Sequence, residues 1–111
     1  MKKQTSQPLH GQVALVTASS KGIGRACALA LAESGADIIL GLRQLSAGQG
    51  LVQQIQQMGR KVLPVQMDVT KLDEITAAVQ TGFKHFKRID ILVNNAGIGA
   101  PNPAEDRKSV V

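Results

Sequence analysis

Residues 12–25 read QVALVTASSKGIGR, and this stretch decides the fold. Its first half is apolar without interruption over Val13–Val16, the pattern of a strand covered on both faces in a parallel sheet rather than of a half-wet strand that alternates. Its second half sets Gly22 and Gly24 where that strand hands over to an alanine-rich helix. A helix start offers unpaired backbone N–H groups and the positive end of the helix dipole, and glycine lets the backbone come close to whatever binds there. Phosphate is therefore the expected guest of Ala18, Ser19, Ser20, Lys21, Gly22, Ile23 and Gly24, against the plainer reading of an ordinary tight turn. The phosphate loop of nucleoside triphosphatases does not fit, because Lys21 precedes its glycine and no Gly-Lys-Ser/Thr ending follows.

On either side of this turn, short apolar runs alternate with segments of helical period, giving the order βαβαβαβ. Strands are expected over 12–18, Asp37–Leu42, 61–68 and 89–93. The first helix spans 22–34, with Ile23, Cys27, Ala30 and Leu31 along its buried side and Gly35 as its cap. The second spans 45–58, weakened at its start by Gly48 and Gly50 and ended by Gly59. The third starts at Thr70, with Asp73 as a capping-box partner and Leu72, Ile75, Val79, Phe83 and Phe86 at steps of three and four, both phenylalanines being expected in the core. Strand-to-strand intervals of about 24 to 28 residues hold one crossover helix each, so neighbouring strands run parallel. The result is a doubly wound parallel α/β sheet in the order 3-2-1-4. Strand 3, which contains Pro64, is then an edge, as a strand lacking a ladder donor requires. Strand 4 is the other edge, and its ILV run carries neither charge nor proline to protect it.

Composition excludes several functions. The apolar share of 43% in 111 residues is too high for disorder, and the apolar runs fall short of the roughly 20 residues of a bilayer span. The start, MKKQTSQPLH, lacks the apolar core of a secretion signal, so the expectation is a cytoplasmic protein with no membrane partner. A single Cys27 and two scattered histidines offer neither a disulfide nor a metal site. Net charge is +5, but without Lys2, Lys3, Asp106, Arg107 and Lys108 the remainder carries only +2. With Phe83 and Phe86 as the sole aromatics there is no stacking platform, and no nucleic-acid partner is expected.

The turn TASSKGIG at 17–24, the DVT at 68–70 and the NNAG at 94–97 together resemble the short-chain dehydrogenase/reductase family. The resemblance covers residues 11–106, about the N-terminal half of a family domain. It implies a Rossmann-like fold and an oxidoreductase passing hydride between a nicotinamide dinucleotide and a small alcohol or carbonyl substrate, in a parent chain that forms a homo-oligomer. It further implies that Asp68 accepts from the adenine amino group, that Val69 adds a backbone contact, and that Asn95, Ala96 and Gly97 pack against the cofactor ribose while Asn94 ties strand ends together. Where the family motif usually opens with glycine, this chain has Ala18. Arg43, and no acid, follows strand 2, whereas Asp37 stands at its far end. A guanidinium can fork onto a ribose 2′-phosphate, with Lys21 in reach of the same group, so NADP(H) is favoured over NAD(H). The plain alternative makes both solvated surface cations.

The family's proton-transfer residues are a serine and a tyrosine with a lysine four residues later, and this chain has no tyrosine. No catalytic residue is therefore assigned, and the chain by itself is expected to be inactive. The reading is a flexible polar leader over 1–10, a partial dinucleotide-binding domain over 11–105 and a non-native tail over 106–111. One reverse translation of that tail, GAT CGG AAG AGC GTC GTG, resembles the start of a sequencing-library adapter. The competing readings are a non-enzymatic nucleotide-binding module, an inert truncation product, or a methyltransferase with a similar glycine turn. The last is disfavoured because it also wants an acid after strand 2. The open strand 4 is expected to make the chain associate.

Overall fold

The structure, a computed structural model, describes residues 7–17, 19, 20 and 22–95. The elements run β1 (Val13–Val16), α1 (Gly22–Glu33), β2 (Asp37–Leu42), a 3-10 turn (Leu45–Gly48), α2 (Gln49–Gln57), β3 (Val62–Gln66), α3 (Leu72–Phe86) and β4 (Ile91–Val93). All strand pairs are parallel and the sheet order is β3-β2-β1-β4, as the crossover spacing requires. Pro64 lies on the edge strand β3, opposite Leu40. No helix among the described residues is long and apolar enough to cross a membrane.

Alternate residues of the central strands feed two separate cores. Ala14 and Val16 of β1 and Ile38, Leu40 and Leu42 of β2 pack with Ala28 and Ala32 of α1 and Leu51 and Ile55 of α2. Val13, Leu15 and Ile39 point the other way and pack with Val65, Met67 and Ala78 of α3. Burial on both faces explains why these strands lack polar alternation. Asp90 staples β4 to β1 at their starts. Its carboxylate accepts from the Val13 amide at 2.9 Å and from Arg88 at 2.8 and 2.9 Å, while its own amide donates to the Val13 carbonyl at 2.8 Å.

Several local expectations are corrected. β2 spans Asp37–Leu42 as expected, whereas β1, β3 and β4 are shorter than the expected 12–18, 61–68 and 89–93. The buried stripe of α1 is Gly24, Ala28 and Ala32, not Ile23 and Ala30; small residues at steps of four let the helix lie close to the sheet, and Ile23 is left 71% exposed. Thr70 does not cap α3. Lys71 occupies the N-cap without a side-chain bond, and Thr70 turns back to Asp68 instead. Phe83, expected in the core, is 54% exposed and Val79 also lies outward, because Ala78 and Gly82 are the residues of α3 that meet the sheet and nothing among the described residues lies beyond β4 to cover the next stripe. Phe86 is half-buried, edge-on to the His85 ring. The packed unit also reaches into the expected leader: the Leu9 amide donates to the Ser34 carbonyl at 2.9 Å, and Leu9 packs against the first core. Residues 1–6 and the tail at 106–111 lie outside the described residues.

Candidate functional site

All the segments singled out by motif leave the carboxyl edge of the sheet. Thr17, directly after β1, is 5% exposed and binds across to β4: its amide donates to the Val93 carbonyl at 3.0 Å, and its hydroxyl accepts from the Asn95 amide at 2.9 Å. The same hydroxyl stands in donating reach of the Val93 carbonyl at 3.3 Å and Asn94 Oδ1 at 3.4 Å. Asn94 and Asn95 are thereby held beside the turn that follows β1. Ser19 is fully buried, with its amide and hydroxyl each 3.4 Å from the Gly41 carbonyl, so it anchors the turn to β2. Ser20, the next residue, faces a cleft. Gly22 opens α1 at φ +65°, and a Cβ there would meet nothing within 4 Å. Conformation rather than space therefore demands glycine. No acidic residue stands in the first turn of α1, so no side chain competes there with an anion for the positive end of the helix. Ala18, Lys21, Ala96 and Gly97 lie outside the described residues.

The cleft beside Ser20 has a volume of about 660 Å³ and lies between the loops that leave β2 and β3. Arg43, exposed and first past β2, stands on one wall with Gln44 and Ala47; Asp68 stands on the other with Lys71 and Glu74. Asp37 is at the opposite end of β2, where its Oδ1 accepts from the Lys61 amide at 3.0 Å. No carboxylate therefore follows β2. Asp68 Oδ1 accepts from the Thr70 hydroxyl at 2.7 Å and the Thr70 amide at 3.0 Å. Those two bonds, aided by the charges of Arg43 and Lys71 and opposed by burial, hold its carboxyl below the usual 3.8. It stays ionised at neutral pH, suited to accepting hydrogen bonds rather than to carrying protons.

Ser20, Arg43 and Asp68 thus meet in one cleft, although they lie far apart in sequence. Val69 borders a different one, an apolar cleft of about 550 Å³ between α3 and β4, which Leu15, Val79, Phe83, Leu92 and Asn94 also line. Gln44, Ala47, Gln66, Lys71 and Glu74 line the polar cleft and were missed by motif reading. Gln66 and Lys71 flank the DVT segment and Glu74 falls in the first turn of α3, so their positions at the carboxyl edge were the available signal.

A family model described as short chain dehydrogenase matches residues 12–110. The 3-oxoacyl-[acyl-carrier-protein] reductase of Synechocystis sp. is 45% identical over 91 residues, covering 81% of this chain and 37% of that protein. The cyclohexanol dehydrogenase of Rhodococcus sp. is 41% identical over 116 residues, covering 94% of this chain and 43% of its own length. Among solved structures, a 7α-hydroxysteroid dehydrogenase complexed with NADH and 7-oxo glycochenodeoxycholic acid superposes with a TM-score of 0.81 at 31% identity, over 95% of this chain and 41% of that one. The chain spans about two fifths of the length of the relatives it matches.

Proposed function

The chain belongs to the short chain dehydrogenase family, and from that premise we propose that it is the cofactor-binding part of an oxidoreductase that prefers NADP(H) to NAD(H). The carrying observation is the polar cleft, where the exposed Arg43 and no carboxylate follows β2. The residues present fit a dinucleotide. The glycine turn has the left-handed backbone of a close approach, the start of α1 carries no competing acid, and Asp68 is held ionised to accept from an amino group. When bound, the cofactor supplies or takes hydride. Ala18, Ser19, Ser20, Lys21, Gly22, Ile23 and Gly24 cradle its diphosphate, Ser19 by anchoring the turn. Arg43, with Lys21, takes the ribose 2′-phosphate. Asp68 accepts from the adenine amino group, Val69, at the border of the neighbouring cleft, adds a backbone contact, and Asn95, Ala96 and Gly97 would pack against the second ribose.

The substrate is a small alcohol or carbonyl compound, the setting is cytoplasmic, and the parent enzyme assembles as a homo-oligomer. Without a tyrosine to move the substrate's proton, the chain itself binds cofactor but does not turn over. Titration calorimetry with NADP⁺ and NAD⁺ tests this. NADP⁺ is expected to bind at least about tenfold tighter, as a charge-assisted bidentate contact warrants, and Arg43→Asp to reverse the order. Equal affinity for the two, or an Arg43→Asp chain with its preference intact, would refute it.

A further inference from the structure

At the rim of the polar cleft the pairing of β2 with β3 continues after both strands have ended. Leu42 and Gln66 are register partners, and the Met67 amide donates to the Leu42 carbonyl at 2.8 Å. One step further, the Gln66 side chain takes over: its Nε2 donates to the Arg43 carbonyl at 2.6 Å. On the neighbouring loop the Asp68 amide donates to Glu74 Oε1 at 2.8 Å, and that oxygen lies 3.5 Å from Gln66 Nε2. Gln66 thus adds a rung between the two loops, and its amide and the Asp68 amide converge on one Glu74 carboxylate oxygen. These bonds join the wall that carries the cation to the wall that carries Asp68.

We propose that Gln66 and Glu74 are positioning residues that set the cofactor preference, by fixing the backbones of Arg43 and Asp68 across the cleft. This rests on the reading of the cleft as the adenosine end of the cofactor site. A long exposed guanidinium loses conformational freedom when it grips a phosphate, and a pinned carbonyl removes the backbone part of that loss before the ligand arrives. An unpinned Arg43 would still attract anions in general, but it would discriminate less well between a ribose with and without a 2′-phosphate.

The test is calorimetric titration of the full chain with adenosine 2′,5′-bisphosphate and with 5′-AMP, the readout being the ratio of the two affinities. Gln66→Met keeps the length of the side chain and removes both donor contacts, so the ratio is expected to fall about fivefold, the size of one lost hydrogen bond. The chain should stay folded, with its thermal midpoint lowered by only a few degrees, because Gln66 is exposed. Glu74→Leu is expected to lower the ratio similarly and to speed exchange of the Asp68 amide, whereas Glu74→Gln, whose amide oxygen still accepts from Asp68, retains it. An unchanged ratio in both Gln66→Met and Glu74→Leu overturns the proposal and leaves the cleft's assignment standing. A wild-type ratio of one removes the role of Arg43 and this proposal with it.

Discussion

Gly48 and Gly50 are two residues apart, yet alanine at the two positions should shift stability in opposite directions. A Cβ on Gly48 would stand 2.5 Å from Cδ1 and 3.2 Å from Cδ2 of Leu42, and Leu42, 1% exposed, is walled in by the first core. Gly48 also holds the N-cap of α2, where alanine is worse than glycine, so no gain in propensity offsets the clash. Overpacking of this kind costs about 1–3 kcal/mol. Gly50 lies inside α2 with nothing within 4 Å of its absent side chain, and alanine there gains about 0.5–1 kcal/mol. The two variants should therefore differ by about 1.5–4 kcal/mol. Urea unfolding followed by far-ultraviolet circular dichroism measures this in a chain without tryptophan. A Gly48→Ala chain as stable as Gly50→Ala would refute the close seating of the 3-10 turn on β2. Because Leu42 immediately precedes Arg43, Gly48→Ala is also expected to weaken binding of adenosine 2′,5′-bisphosphate, while Gly50→Ala leaves it unchanged.

Thr17→Val keeps the shape of a buried side chain but removes the acceptor for the Asn95 amide. A loss of about 1–2 kcal/mol and faster exchange of that amide are expected, and unchanged exchange would remove Thr17 as the link between β1 and the loop after β4. Asp90 titrates below the usual 3.8 because Arg88 and the Val13 amide bond its carboxylate. Its contribution to stability is complete above the unfolded value and is lost as pH falls through the lower folded value. Urea midpoints from about pH 6 down to about pH 2 should show a drop below pH 4 that is smaller in Asp90→Asn, and equal slopes would contradict the staple. Leu92, 55% exposed on the edge strand β4, invites a second copy to pair there. The chain is expected to sediment as more than a monomer and Leu92→Lys to shift it toward one, whereas a monomeric wild type would dismiss this edge as a contact.

Features set by the sheet were legible in the sequence and features set by helix rotation were not. The unbroken apolar runs, the crossover spacing and Pro64 fix strand number, direction and order, because each is a constraint on backbone pairing that single residues announce. Which stripe of a helix turns inward depends on how closely it approaches, and that depends on the smallest residues rather than the largest. In α1 the stripe follows Gly24, Ala28 and Ala32, and in α3 it follows Ala78 and Gly82, so a search for large apolar side chains at steps of three and four selected Ile23 and Phe83 instead. At the site the same division holds. The turn residues, Arg43 and Asp68 are found at strand ends by position alone, but the bonds joining Gln66 to Arg43 and Glu74 to Asp68 run between chain segments and leave no local pattern.

The two clefts draw on these residues unequally. Every lining residue of the polar cleft falls between Ser20 and Glu74, in the segments that follow β1, β2 and β3, at the end of β3 and in the first turn of α3. Next to Asp68, Met67 belongs to the second core, and its sulfur stands 3.0 Å from the place of a Cβ on Gly41. The apolar cleft instead opens along β4, with Phe83 and Leu92 each more than half exposed. Nucleotide binding and burial of the α3 face are thus separable requirements. On the proposed reading the first draws on groups between Ser20 and Glu74, away from β4, so adenosine nucleotides are expected to bind even if the β4 edge self-associates. A copy seated on β4 would cover Leu92 and Phe83 and leave Arg43 and Asp68 open, so binding should be insensitive to protein concentration over the range in which sedimentation is not.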